Sequence, residues 1–300
     1  MGYDLVAFGN PVYDEITTPY SQAQVRILSG CSTNACLAAK KLGLEKVALI
    51  GCIGEDHKEK FITAMSKYGI ELPAIKISNE TGGFRLVYDR KGNRTLDVLG
   101  VADKIFPEDV PRDCLDSKII LLGPILQEID LEFIEFLRRK SNAEIFLDPQ
   151  GIIRKISKTG RIIKVSNQCK AKSIIKLVDF VKPNEEESKI LTGVEDPYIS
   201  TKILLEWGVK ICIVTLAERG SIICREKGFL NIPAYKTVAK DPTGAGDTYA
   251  GAFITRYLNG ASLFESALFA SAAASIKVEN SGPDFPLEFD VVNERIKNMG

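Results

Sequence analysis

In the stretch KDPTGAGDTYAGAF, three small residues, Gly244, Ala245 and Gly246, stand directly ahead of Asp247, and an apolar helical pattern follows. Glycines let backbone N–H groups converge without obstruction by a Cβ, and a helix N-terminus adds the positive end of its dipole, so this turn can hold developing negative charge. A carboxylate at such a helix end can be an ordinary cap, stabilised by the dipole. It can also act as a base on whatever the turn holds. Further polar residues follow apolar runs in ways a core does not require: Asp14, Asn34 at a helix start, Asp148 and Gln150, Asn184 and Glu187, and Thr215. In open parallel sheets ligands collect beyond the carboxyl ends of the strands, which is where these residues fall.

The elements that must position them alternate in kind. DLVAFG, KVALIGCIG, KIILLGPIL, EIFLDPQG, LVDFVKPN and KICIVTL are near-continuous apolar runs, the signature of parallel strands covered on both faces. Between them NACLAAKKLG, EKFITAMSKYGI, DLEFIEFLRRK and YISTKILLEWGV carry helical periodicity, the first stopped by Gly43. Strand and helix in alternation imply right-handed crossovers and a three-layer, doubly wound α/β fold with a mostly parallel sheet. One region breaks the rhythm: residues 75–101 hold two alternating runs around DRKGN, a β-hairpin signal. The expected organisation is therefore an α/β core of residues 1–74 and 102–300, with a small β lid of residues 75–101 joined by residues from 14–28.

Bulk properties exclude several classes. The 300 residues are 45% hydrophobic, enough for one large core, and 39 Lys+Arg balance 39 Asp+Glu. No electrostatic footprint for nucleic acid or an anionic membrane is visible, and no run reaches the ~20 apolar residues of a membrane span. The opening MGYDLVAFGN lacks the charged and apolar regions of a leader, so a cytoplasmic location is expected. Seven cysteines without a C-x-x-C pair, and a single histidine, give no zinc site; they read as buried small hydrophobes, and His57 as a solvated residue at a helix start. The glycines miss G-x-G-x-x-G because Tyr249 holds the third position; no G-x-x-x-x-G-K-[ST] exists, and no G-x-S-x-G elbow partners the histidine. Residues 151–178 hold eight Lys or Arg and no acid, which reads as a solvated basic face.

The stretch DPTGAGDTYAGAF resembles the D-T-T-G-A-G-D signature of the ribokinase-like (PfkB) family of carbohydrate kinases. SGCSTNACLAAKKLG is similar to the family's G-G-x-x-x-N-x-A, VKPNEEESKILTG carries its N-x-x-E, and VTLAERGS is similar to its T-L-G-x-x-G, all in the family's order. The resemblance spans about residues 6–286. It implies transfer of the γ-phosphoryl of ATP to an alcohol, with Asp247 as the base and Gly244, Ala245 and Gly246 as the anion hole. It further implies that Asn184 and Glu187 hold Mg²⁺ and its waters, that Asp14 and Asn34 grip substrate hydroxyls, and that Thr215, Ala217 and Gly220 border the nucleotide. Asp241 and Thr243, with the loop at Gly282, match places where many members hold a monovalent cation such as K⁺.

Departures qualify this. Ser29, Ala217 and Pro242 replace a glycine, a glycine and a threonine of the signatures, and none of them removes a proposed catalytic group. The gap from Asp14 to Ser29 is too short for the family's usual lid strands, which weakens the homodimer that a lid clasp implies. LLGPILQEI, LDPQGIIRKI and KDPTGAGD look like the branch containing myo-inositol kinases, with Gln150 and Arg154 as substrate or phosphate contacts. A sugar or cyclitol is the expected acceptor. A nucleoside is the alternative within the class, and a nucleotide- or sugar-binding regulator without turnover is the alternative outside it.

Overall fold

The computed structural model describes residues 2–20, 22, 25–89 and 94–298. Nine strands form the central sheet, in the spatial order Gly228–Ile232, Ser221–Arg225, Ile211–Thr215, Phe180–Val181, Glu144–Leu147, Ser117–Leu122, Tyr3–Phe8, Val47–Gly54, Ile75–Ser78. The strands from Ile211–Thr215 to Ile75–Ser78 pair in parallel, and the two at the other edge are antiparallel additions. All eight residues of Val47–Gly54 are buried, as a strand covered on both faces requires.

The cover on one face comes from helices Cys31–Lys41, Ala245–Leu258 and Leu263–Val278, whose apolar side chains pack with Leu5, Leu49, Phe146 and Ile213. On the other face Leu131–Lys140 and Gln168–Ile175 pack with Val6, Phe8, Ile120 and Val214. The expected three-layer α/β architecture is thus the observed one. Two of the first face's helices come unusually close: a Cβ on Gly251 would lie 2.2 Å from the Ala35 carbonyl oxygen. This contact sets helix Ala245–Leu258 against the first turn of Cys31–Lys41 and so places Asp247 beside Asn34. Gly251→Ala is expected to cost about 3 kcal/mol through overpacking, read as a lowered urea midpoint with an unchanged slope.

The lid is a separate four-stranded sheet in the order Ile27–Ser29, Val12–Thr17, Gly83–Tyr88, Arg94–Gly100. One boundary differs from the expected one. Ile75–Ser78 belongs to the central sheet, paired in parallel with Val47–Gly54, so the lid hairpin starts at Gly83. Part of the 14–28 stretch joins the lid: Val12–Thr17 pairs with Ile27–Ser29 on one side and Gly83–Tyr88 on the other. Strands of six and three residues fit where longer ones would not. Part of the DRKGN turn, residues 90–93, lies outside the described residues.

His57 is not simply solvated: its ring stacks on Tyr13 with centroids 4.2 Å apart, and Nδ1 lies 2.9 Å from Asp56 Oδ2. Six of the seven cysteines are buried, Cys169 being the exposed one. The basic segment folds as a small hairpin, Arg154–Ile156 against Ile162–Lys164, followed by Gln168–Ile175. Its lysines at 155 and 158 are exposed, whereas Arg154 is buried. Among the described residues no helix is long and apolar enough to cross a membrane.

Candidate active site

Helix Ala245–Leu258 starts from Gly244, whose φ of 77° is a left-handed conformation that glycine adopts without steric cost. The Ala245 amide donates to the Pro242 carbonyl at 3.2 Å, closing the turn on itself, and the Thr248 amide donates back to Gly244. The amides of Gly244 and Gly246 carry no hydrogen bond to the described residues, so they, rather than Ala245, are the donors this turn can offer an anion. Asp247 follows in the first helical turn, and Asn34 Nδ2 donates to its Oδ2 at 2.9 Å. Asn34 is held in turn by its own amide on the Gly30 carbonyl at 2.8 Å. Expected from the resemblance to grip substrate, Asn34 here orients the carboxylate of Asp247.

A buried ion pair closes the other side. Lys182 Nζ lies 2.8 Å from Asp148 Oδ2, with both side chains 4% exposed. A Cβ on Gly246 would sit 3.4 Å from that Nζ, so the ammonium abuts the anion-binding turn. Burial works against the charge on Lys182, but the Asp148 carboxylate outweighs it and holds the group protonated above the usual lysine range. Cys31 completes the floor: its Sγ and carboxylate oxygens of Asp148 and Asp247 all lie within 4.8 Å of one another. Burial, then the charges of Asp148 and Asp247, push this thiol well up, so it stays protonated.

Toward the lid, Asp14 is 3% exposed and its Oδ1 accepts from the Phe84 amide at 2.8 Å. Burial pushes its pKa up to about 6, against the pull of the Phe84 N–H, the Ser29 hydroxyl and the charges of Arg154 and Arg94. Because the raised value exceeds the ordinary 3.8, the stabilising contribution of this group is present below pH 3.8 and is lost as pH rises through about 6. The ionised form is the one that accepts hydroxyl donors. Accordingly kcat/KM for the acceptor is expected to rise with pH through about 6, and Asp14→Asn is expected to abolish that limb of the profile.

Arg154, 4% exposed, donates to the Ile125 carbonyl at 3.2 Å and shares the field of Asp148, Glu187 and Asp247. Gln150 opens the short helix Gln150–Ile153, its amide on Asp148 and its side chain on Cys31. Asn34 thus bonds Asp247, Arg154 lies in the field of Asp14 and Asp247, and Gln150 meets Cys31 beside them.

At the donor end Asn184 and Glu187 form a reciprocal cap. Glu187 donates its amide to Asn184 Oδ1 at 2.8 Å, and Glu187 Oε2 accepts from the Asn184 amide at 2.9 Å. Both side chains thus cap the helix Glu185–Thr192, and Glu187, whose carboxylate has a second oxygen outside the cap, is the better candidate for a role at the metal. Burial and then the neighbouring Asp148 raise the Glu187 pKa, against the pull of the Asn184 amide and the charges of Lys182 and Arg154. A hydrated Mg²⁺, which keeps several waters and needs few protein ligands, fits such a carboxylate. The Cys31, Asp148 and Asp247 cluster fits it poorly, since it offers a soft thiol and Asp148 is paired with Lys182.

Thr215 ends its strand beside this cap, its amide on the Pro183 carbonyl at 3.1 Å. Ala217 has φ 52°, keeping the left-handed conformation although the signature's glycine is gone, at a cost on the order of 1 kcal/mol. Gly220 has φ 90°, and a Cβ there would lie 1.9 Å from the Ile232 carbonyl oxygen. Gly282, φ 72°, lies in the loop after Leu263–Val278, with open space where a Cβ would be.

Sequence reading did not find Lys182, Cys31, Tyr88 or Arg94 as site residues. Arg94 Nη1 donates to the Tyr88 hydroxyl at 3.0 Å, and Thr243 Oγ1 donates to the same oxygen at 3.0 Å. The lid is thereby tied to the anion-binding turn, and Arg94 lies in the field of Glu187 and Asp247. The one signal for Lys182 was a lysine inside an otherwise apolar strand end, VKPN.

A carboxylate held beside a turn with free amides, beyond the carboxyl ends of a parallel sheet and under a β lid, is the architecture of a ribokinase-like phosphotransferase. The chain belongs to the pfkB family of carbohydrate kinases, whose family model matches residues 4–290. It is similar to a cytidine kinase of Thermococcus kodakarensis, 28% identical over 270 residues that cover 87% of this chain and 91% of the relative. A ribokinase of Haemophilus influenzae is 29% identical over 266 residues, 84% of this chain and 81% of the relative. Among solved structures, a pyrophosphate-dependent kinase of the ribokinase family, complexed with a pyrophosphate analog and myo-inositol, has a TM-score of 0.81 at 21% identity, covering 97% of this chain and 99% of its own. The protein is thus a sugar or nucleoside kinase of this family.

Proposed function

We propose that this kinase transfers the γ-phosphoryl of ATP, with Mg²⁺, to a hydroxyl of a small sugar or cyclitol. The observation that carries the reading is Asp247 held at 2.9 Å by Asn34 directly after the turn whose Gly246 abuts the Lys182 ammonium. An acceptor hydroxyl seated at Asp247 gives up its proton to the carboxylate as its oxygen attacks the γ-phosphorus, and the bond from that phosphorus to the bridging oxygen breaks, so that ADP leaves. The negative charge on the transferring group meets the Gly244 and Gly246 amides and Lys182, and each placed donor of this kind is worth about 3 kcal/mol. Bound Mg²⁺, held through its waters by Glu187, would neutralise the phosphates. Nucleotide would lie along Thr215, Ala217 and Gly220, with Gly282 opposite.

Asp14 and Arg154, both buried, and the half-buried Gln150 favour an acceptor rich in hydroxyls, because polar groups of this kind can exchange hydrogen bonds with a ligand that matches them and reject one that does not. A nucleoside is the second reading. It is supported by Phe84, whose amide bonds Asp14 and which lines an apolar hollow with Val12 and Ile125. The similarity to a cytidine kinase points the same way. Tyr20, Val25 and Val87, exposed in and beside the lid strands, support a homodimer formed through the lid, which light scattering would read as twice the monomer mass.

Rates of ADP formation with ATP·Mg²⁺ and a panel of myo-inositol, D-ribose, 2-deoxy-D-ribose, hexoses and nucleosides test the reading. The highest kcat/KM is expected for a sugar or cyclitol. A preference for cytidine or another nucleoside would replace that acceptor by the second reading, and binding without product would favour a regulator.

A further inference from the structure

A second buried lysine lies against Gly244, as Lys182 lies against Gly246. Lys277 lies in the last turn of helix Leu263–Val278 and is 5% exposed. Its Nζ donates to the Asn280 carbonyl at 2.9 Å, and its Cε lies 3.6 Å from where a Cβ on Gly244 would project. No carboxylate among the described residues is within ion-pair distance of it, although it shares the field of Asp241 and Asp247. Burial lowers its pKa while those two carboxylates support its charge. A buried charge without an ion pair is costly, and it is retained where an anion arrives to use it.

The residues that the family resemblance associates with a monovalent cation are in part engaged by other groups. Asp241 is 2% exposed and accepts from the Thr243 amide at 2.9 Å, while its own amide bonds Val278 at 3.1 Å, one residue beyond Lys277. The Thr243 hydroxyl donates to Tyr88. A potassium ion beside Asp241 would face the fixed charge of Lys277, a repulsion that low-dielectric surroundings strengthen. The donor set of this chain therefore does not fit the ion.

We infer that Lys277 serves as a built-in monovalent cation that positions and polarises the Gly244 turn, so that this kinase needs no potassium. The inference rests on the phosphotransfer reading of the same turn. Lys277 is a positioning residue acting through Gly244 and Asp247.

The test compares the wild type with Lys277→Met, which keeps an apolar stem and removes the charge, in potassium chloride and in tetramethylammonium chloride at equal ionic strength. Wild-type kcat, with ATP·Mg²⁺ and the best acceptor of the panel, is expected to agree within about twofold between the salts, whereas Lys277→Met is expected to lose about tenfold or more and to regain much of it in potassium only. The melting temperature of the variant is expected to rise in potassium relative to tetramethylammonium, and that of the wild type to be the same in both. Activation of the wild type by potassium of more than about fivefold, a potassium-specific rise in its melting temperature, or an unchanged kcat in the variant would overturn the inference. If the variant does not fold, the wild-type arms still decide. If no acceptor is phosphorylated, the phosphotransfer reading fails separately, and the melting arms still judge the ion.

Discussion

Asp247→Ala is expected to remain folded and to lose about 10²-fold or more in kcat, with the acceptor KM changed far less. The reason is the division of labour at the helix start. The turn amides and Lys182 act on the phosphoryl group and survive the substitution, while the group that receives the proton is removed. The fold loses one hydrogen bond to Asn34 and one favourable charge at a helix N-terminus, about 1 to 2 kcal/mol together. Steady-state kinetics beside a urea titration separate the two effects, and a kcat near the wild-type value would remove Asp247 from the reaction.

Lys182→Met is expected to damage both activity and stability. Its ammonium abuts Gly246, where charge develops, so its loss should lower kcat by about 10²-fold or more. The same change strands the carboxylate of Asp148, 4% exposed, without its partner, and breaking a buried pair in this way costs about 3 to 5 kcal/mol. The double variant Lys182→Met with Asp148→Asn should recover much of the stability and little of the activity. A double variant as active as the wild type would show that Lys182 serves the fold alone.

How much of this was legible beforehand follows from the range of each signal. Runs such as KVALIGCIG announce a strand buried on both faces by composition alone, and that strand is Val47–Gly54. IKIS was read into the lid because a four-residue alternation looks the same at the edge of a parallel sheet as in a hairpin. The lid strands after Pro11 were expected only as residues from 14–28 joining it, without bounds, because one of them has only three residues and the other takes its second partner from about 70 residues along the chain. At the site, Asp247, Asn34 and the glycines lie in short motifs with a local geometric reason. Lys182, Arg94 and Tyr88 do not, since their roles come from contacts with Asp148 and Thr243 that no spacing announces. The N-x-x-E motif illustrates a different limit: its cap and its metal role call for the same residues, and only the hydrogen bonds show Asn184 occupied by the cap.

The central claim is geometric: one acceptor oxygen sits between the Asp247 carboxylate and the donors of the Gly244 turn. A crystal structure with the preferred acceptor, ADP, Mg²⁺ and aluminium fluoride in place of the transferring phosphoryl group tests it most directly. The attacking hydroxyl is predicted within about 3 Å of an Asp247 carboxylate oxygen, with the fluorides within about 3 Å of the Gly244 and Gly246 amides. A complex with the hydroxyl more than about 5 Å from Asp247, or with the fluorides held away from that turn, would contradict the account.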